Sequence, residues 1–408
     1  MEVIHQRCCG LDVHKKSITA CAILPKGKEI ETFGTMTHDL IQLVDWIKSK
    51  GCTHVAMEST GVYWKPIYNL LELEDIQPLV VNAAHIKAVP GRKTDVKDAE
   101  WIAKLLRHGL LQHSYIPNRD QRELRELVRY RRSLIEEKSR EISRIQKVLE
   151  GANIKLSSVA TDIMGVSGRS MIDALINGMD DPQALASLAK RSMKKKKEDL
   201  ERALFGSVGP HQKMMLKTQL THIDFLDQQI AILNEEVQQR MQPYEEDIEL
   251  LDSIPGIGRN HAEQLLAEIG LGKDISKQFP TAPHLCSWAG MVPGNNESAG
   301  KKKSGKTRKG NKKLRSALVE AAHSAAKTKN TYLSSQYHRL APRIGKKRAA
   351  VAVGHTILTI VYHLLNKRQP YIELGADYFD QRKKEIVIKQ SIKRLEILGC
   401  KVTVEATA

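Results

Sequence analysis

Four acidic residues stand where carboxylates could do chemistry: Asp12, Glu58, Asp95 and Asp98. Asp12 lies near the end of the apolar run R-C-C-G-L-D-V at 7–13, and Glu58 ends the run C-T-H-V-A-M-E at 52–58. Asp95 and Asp98 are three residues apart in a helical stretch, so they share one face. Carboxylates gathered from converging element ends form a hard oxygen site. Such a site suits Mg2+, with waters and substrate phosphates as the remaining ligands. Taken singly, each acid has a plainer reading. An Asp at a helix start is ordinarily a cap or dipole partner, which applies above all to Asp95. A Glu at a strand end is ordinarily just solvated.

A second cluster is cationic. Residues 301–315 hold nine Lys or Arg and no acid, among them Lys301, Lys302, Lys303, Lys306, Arg308, Lys309, Lys312 and Lys313. Gly300, Gly305 and Gly310 interrupt the run, which predicts a flexible basic loop or ribbon suited to phosphate contacts. The adjoining W-A-G-M-V-P at 288–293 reads as ordered core, which argues against a merely solvated charge run. Upstream, 250–270 reads as apolar helix, P-G-I-G turn and second helix, a helix–hairpin–helix pattern. Gly256 and Gly258 would there let the backbone approach a DNA phosphate. A tight turn used only for packing is the alternative.

The elements that must position the acids follow from periodicity. Residues 7–13 and 17–24 read as strands joined by an H-K-K turn, and 29–36 as a third. At 39–50, Leu40, Leu43, Val44 and Ile47 recur at helical spacing. Then come a strand ending at Glu58, a helix at 62–73, a strand at 78–82, and a helix at 94–109 with Thr94 as N-cap and Gly109 as stop. Three strands, helix, strand, helix, strand, helix is the order of an RNase H-like α/β fold. The acids fall where that fold would use them.

Downstream the pattern is helical. Val128, Ile135, Ile142 and Leu149 recur at sevenfold spacing, supported by Leu124 and Ile145 and interrupted by Arg131 and Lys138. Leu216, Ile223, Ile230 and Val237 repeat the stripe. This predicts a coiled coil, closed as an antiparallel hairpin within the chain or between subunits; an ordinary bundle is the alternative. Residues 151–210 read as small helices and loops, with 194–197 a solvated or phosphate-facing patch. Core helices are expected at 314–326 and 348–365.

The chain carries 64 Lys and Arg against 47 Asp and Glu, a net charge of +17, with a pI near 9.5. Such an excess favours a polyanion partner, because each phosphate neutralised releases a counterion. Aromatic residues make up 5%, which argues against broad base-stacking platforms. The six cysteines form no C-x-x-C pair. Neither a zinc site nor a disulfide framework is therefore suggested, and a reducing cytoplasm fits. Cys8 and Cys9 are expected to pack as small apolar residues in a strand. The apolar stretch at 349–365 is interrupted by His355 and His363. It falls short of the roughly 20 residues a membrane span needs, so a buried helix and no membrane are expected.

G-L-D-V-H-K at 10–15, M-E-S-T-G at 57–61 and K-T-D-V-K-D-A at 93–99 resemble the DEDD transposases of bacterial insertion sequences, also called bridge recombinases. The motifs occur in that family's order and at its distances, and the resemblance covers most of 7–366. It implies a RuvC-like domain at 1–115, a helical coiled-coil region at 116–245, a C-terminal transposase domain at 246–370 and a tail at 371–408. It assigns Asp12, Glu58, Asp95 and Asp98 as the metal-binding acids, with Mg2+ as the cofactor, in a pair of ions. It also implies a nucleophilic serine after the W-x-G-x-V-P stretch. Matched residue by residue, this is Ser298, in Glu297-Ser298-Ala299-Gly300 where the family often shows Ser-Ser-Gly-Gly. Ser304, also followed by glycine, is the alternative.

The function so implied is cleavage and rejoining of double-stranded DNA at element ends and target, beside the bacterial nucleoid. The resemblance further implies a homo-oligomer, dimer or tetramer, in which acids and serine meet, and a guide RNA encoded by the element. Two other readings compete: a RuvC-like nuclease in which water attacks, and a non-catalytic nucleic-acid-binding protein whose acids are structural.

Overall fold

The computed structural model describes residues 2–59, 61–82, 95–111, 114–271, 275–294, 296–298, 301–382 and 384–403, with backbone only at 95–96, 296–298, 301–303 and 385–387. The chain divides into two compact units, Met1–Asn118 and Arg119–Ala408.

The first unit runs β1 (Cys8–Val13), β2 (Ile18–Leu24), β3 (Gly27–Phe33), α1 (Thr37–Ser49), β4 (His54–Glu58), α2 (Trp64–Leu73), β5 (Gln77–Val81) and α3 (Asp95–Arg107). The strands form one sheet in the order β3-β2-β1-β4-β5. β2 is antiparallel to β1 and β3, while β1, β4 and β5 are parallel. This mixed five-stranded α/β sheet is the RNase H-like arrangement that the element order predicts. The parallel strands are apolar because both faces are covered. Leu11, Val13, Val55 and Met57 pack with Leu43, Ile47, Ile67 and Leu71 of α1 and α2. Cys8, Cys21 and Ala56 pack with Ala99, Ile102, Ala103 and Leu106 of α3. Thr94 lies outside the described residues, and Gly109 ends the helix at φ +65° as expected.

α3 lies directly on β1. A Cβ added to Gly10 would sit 2.3 Å from the Ala99 carbonyl oxygen and 2.4 Å from the Ala103 nitrogen, both backbone atoms that cannot swing away. Gly10→Ala should therefore cost about 1–3 kcal/mol, read from urea unfolding. Wild-type stability in that variant would mean that α3 can lift from the sheet freely. On the outer side of α3, Lys104 and Lys28 bond Glu100 at 2.7 and 2.5 Å and hold its carboxyl below the usual range.

The second unit is helical. α4 (Arg119–Gly151) and α5 (Pro210–Met241) run antiparallel, with Glu123 bonded to Arg240 near one end and Lys138 to Asp227 further along. Short helices between them close a core around Ile145, Leu149, Leu216 and Ile223. A larger core collects the other ends of the pair, through Leu124, Val128, Val237 and Met241. It also holds α6 (Glu245–Asp252), α7 (Arg259–Ile269), α8 (Ala282–Trp288), α9 (Lys312–Lys327), α10 (Tyr332–Ile344) and α11 (Lys346–Lys367). Ile142 of the sevenfold stripes is half-buried against the core around Ile145, and Ile135 and Ile230 are half-buried between the two cores, where the helices cover just one side of each other. Arg131, which breaks the first stripe, is buried and bonds Glu263 of α7 at 2.7 Å. α11 is long and apolar enough to cross a membrane by length and composition, but it buries one face in the larger core through Ile357, Leu358, Val361 and Leu365.

Candidate catalytic acids and basic hairpin

The side chains of β1 alternate between the two layers, so Cys8, Gly10 and Asp12 face α3. In the parallel register Leu11 is opposite Met57, which brings the following residues, Asp12 and Glu58, to the same level of adjacent strands. The helix runs back along β1. The Ile4 amide donates to Arg107, the Cys8 thiol to the Ala103 carbonyl, and Gly10 sits under Ala99. From Cys8 to Asp12 the strand advances about 13 Å. From Ala103 back to Asp95 the helix covers about 12 Å. The backbone thus carries Asp12 and Glu58 to the first turns of α3, which bear Asp95 and Asp98.

Asp12 is only 8% exposed, and its Oδ2 is 3.1 Å from Nε2 of His14. A buried carboxylate is costly without positive charge or donors around it. This burial and the all-oxygen character of the acids fit a hard divalent cation. Among the described residues no three Asp, Glu, His or Cys side chains converge closely enough to hold an ion by themselves, and the Asp95 side chain lies outside that set. His14 was not among the residues singled out from sequence. Its place two residues after Asp12, just past the end of β1, was the available signal.

The four cysteines of this unit are buried and unpaired with one another. Burial pushes the Cys8 thiol up to about 12 and the Cys9 thiol well above its ordinary value, so both stay protonated and pack as apolar groups.

In the second unit the basic segment is a β-hairpin. β6 (Asn296–Ser298) pairs antiparallel with β7 (Lys301–Ser304), with Ser298 opposite Lys301. Below it, Pro293 bridges Thr307 and the Gly294 amide donates to the Lys306 carbonyl at 2.9 Å. The stem closes where Gly290 and Gly310 touch backbone to backbone; a Cβ on Gly310 would lie 2.4 Å from the Gly290 nitrogen. Both glycines are therefore steric necessities. Lys306, Arg308, Lys309, Lys312 and Lys313 are exposed. Ser304 takes a local role, its Oγ accepting from the Lys306 amide at 3.2 Å. The side chains of Ser298, Lys301, Lys302 and Lys303 lie outside the described set. Replacing those three lysines with glutamine should weaken binding to all DNA sequences. The slope of log affinity against log salt should flatten by about one unit per lysine; an unchanged slope would mean a merely solvated run.

Gly256 and Gly258 sit between α6 and α7, and the structure separates them. Gly256 adopts φ +91°, and a Cβ there would lie 2.4 Å from the Ala325 nitrogen of α9. Its missing side chain serves helix packing, which sequence could not distinguish from approach to a phosphate. Gly258, at the N-cap of α7, has open space around it.

Two family models match the chain. A DEDD transposase model of the IS110 group matches residues 9–154. A second, described as transposase of the IS116/IS110/IS902 family, matches residues 248–339. Together they take in more than half of the chain, in the order acids first, hairpin second. The comparison with curated proteins gave no match.

Proposed function

The chain belongs to the DEDD transposases of the IS110 family, and on that premise we propose that it cuts and rejoins the DNA of an insertion sequence with Ser298 as nucleophile. The observation that carries this reading is the hairpin, in which Ser298 pairs with Lys301 at the head of a cationic return strand. Ser298 Oγ attacks a backbone phosphorus. A serine–phosphate bond forms as the bond to the neighbouring nucleotide oxygen breaks; the serine proton leaves to a base and the departing oxygen takes one up. A hydroxyl from another strand then displaces the serine, so no ATP is consumed.

Asp12, Glu58, Asp95 and Asp98 would hold a pair of Mg2+ ions, which when bound polarise the phosphate and stabilise charge in the displacement. The exposed lysines of the stem hold the DNA backbone without reading its sequence. An RNA encoded by the element supplies that sequence choice by pairing, and the protein works as a homo-oligomer, a dimer or tetramer. Both follow from the family resemblance, and the net charge of +17 suits both polyanions.

The test is a plasmid carrying the element ends, incubated with protein, element RNA and Mg2+ but no nucleotide triphosphate. Rejoined products are expected. Free ends without rejoining would favour a nuclease in which water attacks, and binding without any cleavage would favour a non-catalytic nucleic-acid-binding protein.

A further inference from the structure

The hairpin is held at its base by a buried charge outside the proposed chemistry. Glu268, near the end of α7, is 1% exposed. Its carboxylate accepts two bonds from Arg129 of α4, at 2.6 and 2.7 Å, and Nε of Arg125 lies 3.6 Å away. A further donor is Asn311, whose Nδ2 is 2.6 Å from Glu268 Oε2. Asn311 follows Gly310, the last residue of the stem, and is also the N-cap of α9. Its Oδ1 accepts from the amides of Lys313 and Leu314 at 3.1 and 3.2 Å. One side chain thus starts a helix with its oxygen and fastens the hairpin to α4 and α7 with its nitrogen. The carboxylate would already be paired by the arginines alone. The bond to Asn311 adds a fixed direction for the chain leaving the hairpin.

We infer that Glu268 and Asn311 form a latch that positions the Ser298 hairpin for strand cleavage; this rests on the serine reading above. Neither residue touches DNA in this role, and both act through the stem. Charge-assisted bonds of this kind are short and strongly directional, which suits a positioning device. A small misplacement of a nucleophile is expensive in rate though cheap in binding.

The test separates capping from latching. Asn311→Asp keeps a good N-cap but sets a carboxylate against Glu268. Asn311→Ser also keeps a good N-cap but is too short to bond Glu268 while capping. Two readouts are taken on the full-length protein: amide hydrogen exchange at Gly294 relative to α11, and the cleavage rate at saturating DNA. In both variants, exchange at Gly294 should quicken by about tenfold with α11 unchanged. The saturating rate should fall about a hundredfold, while half-saturating DNA stays within about twofold. Unchanged exchange at Gly294, equal acceleration in α11, or wild-type behaviour of Asn311→Ser would each overturn the latch. Faster exchange at Gly294 with an unchanged cleavage rate would instead overturn the serine reading, because the hairpin would then move without affecting the chemistry.

Discussion

Ser298→Ala is expected to leave no DNA covalently attached to the protein and to lower strand cleavage by about a thousandfold or more. The hydroxyl is a weak nucleophile near neutral pH and needs a base or a metal to act. No histidine lies within ten residues of it in the sequence, so on this reading a base remote in the chain or a metal has to activate it. The experiment uses labelled DNA with Mg2+, denaturation, and peptide mapping of the adduct. Wild type should carry DNA on Ser298. Ser304→Ala should still carry it, because the Ser304 hydroxyl is engaged with the Lys306 amide in a local turn. An adduct mapped to Ser304 would move the assignment by six residues. Cleavage with no adduct, surviving in both variants, would sink covalent catalysis and leave water as the attacking group.

Asp12→Ala is expected to abolish cleavage, again by about a thousandfold or more, while DNA affinity stays within about twofold. Asp12 is buried, faces α3 and shares a level with Glu58, so in the proposed site its loss would remove one metal-ligating carboxylate. Glu58→Ala should act alike, and excess chelator should silence the wild type. A second readout does not depend on cleavage. A ligand that binds only the folded state raises its stability with concentration. Added Mg2+ should therefore raise the thermal midpoint of the wild type but not of Asp12→Ala. Equal shifts in both proteins, or cleavage undiminished by chelator, would remove the acids from the metal's site. Loss of cleavage with a large loss of DNA affinity would point to a folding defect instead.

The signals carried by the amino-acid sequence are local. The apolar run of β1, the helical spacing in α1 and the stop at Gly109 after α3 mark the elements, because a strand covered on both faces is apolar throughout while a helix repeats every three or four residues. Element order then implied the sheet, and the sheet's parallel register accounts for Asp12 and Glu58 at one level. The family resemblance pointed to Ser298 after W-A-G-M-V-P, with Ser304 as the alternative, and the glycines among the lysines predicted a loop or ribbon, of which the structure shows the ribbon. The pairing of the two long helices within the chain was one of the alternatives the sevenfold stripes left open. Nothing in either stripe states which partner it meets.

Tertiary structure decided the rest, and each case turns on a partner remote in the chain. Arg131 looked like an interruption of an apolar stripe until it met Glu263, 132 residues away. Gly256 could have served a phosphate or a helix, and only the position of Ala325 assigns it to the helix. Gly10 became a steric requirement through α3 crossing above it. Glu268 and Asn311, 43 residues apart, carry no sequence pattern at all. A buried charge or a close backbone approach is defined by what surrounds it in space, and local periodicity records only which face a residue takes, not what that face meets.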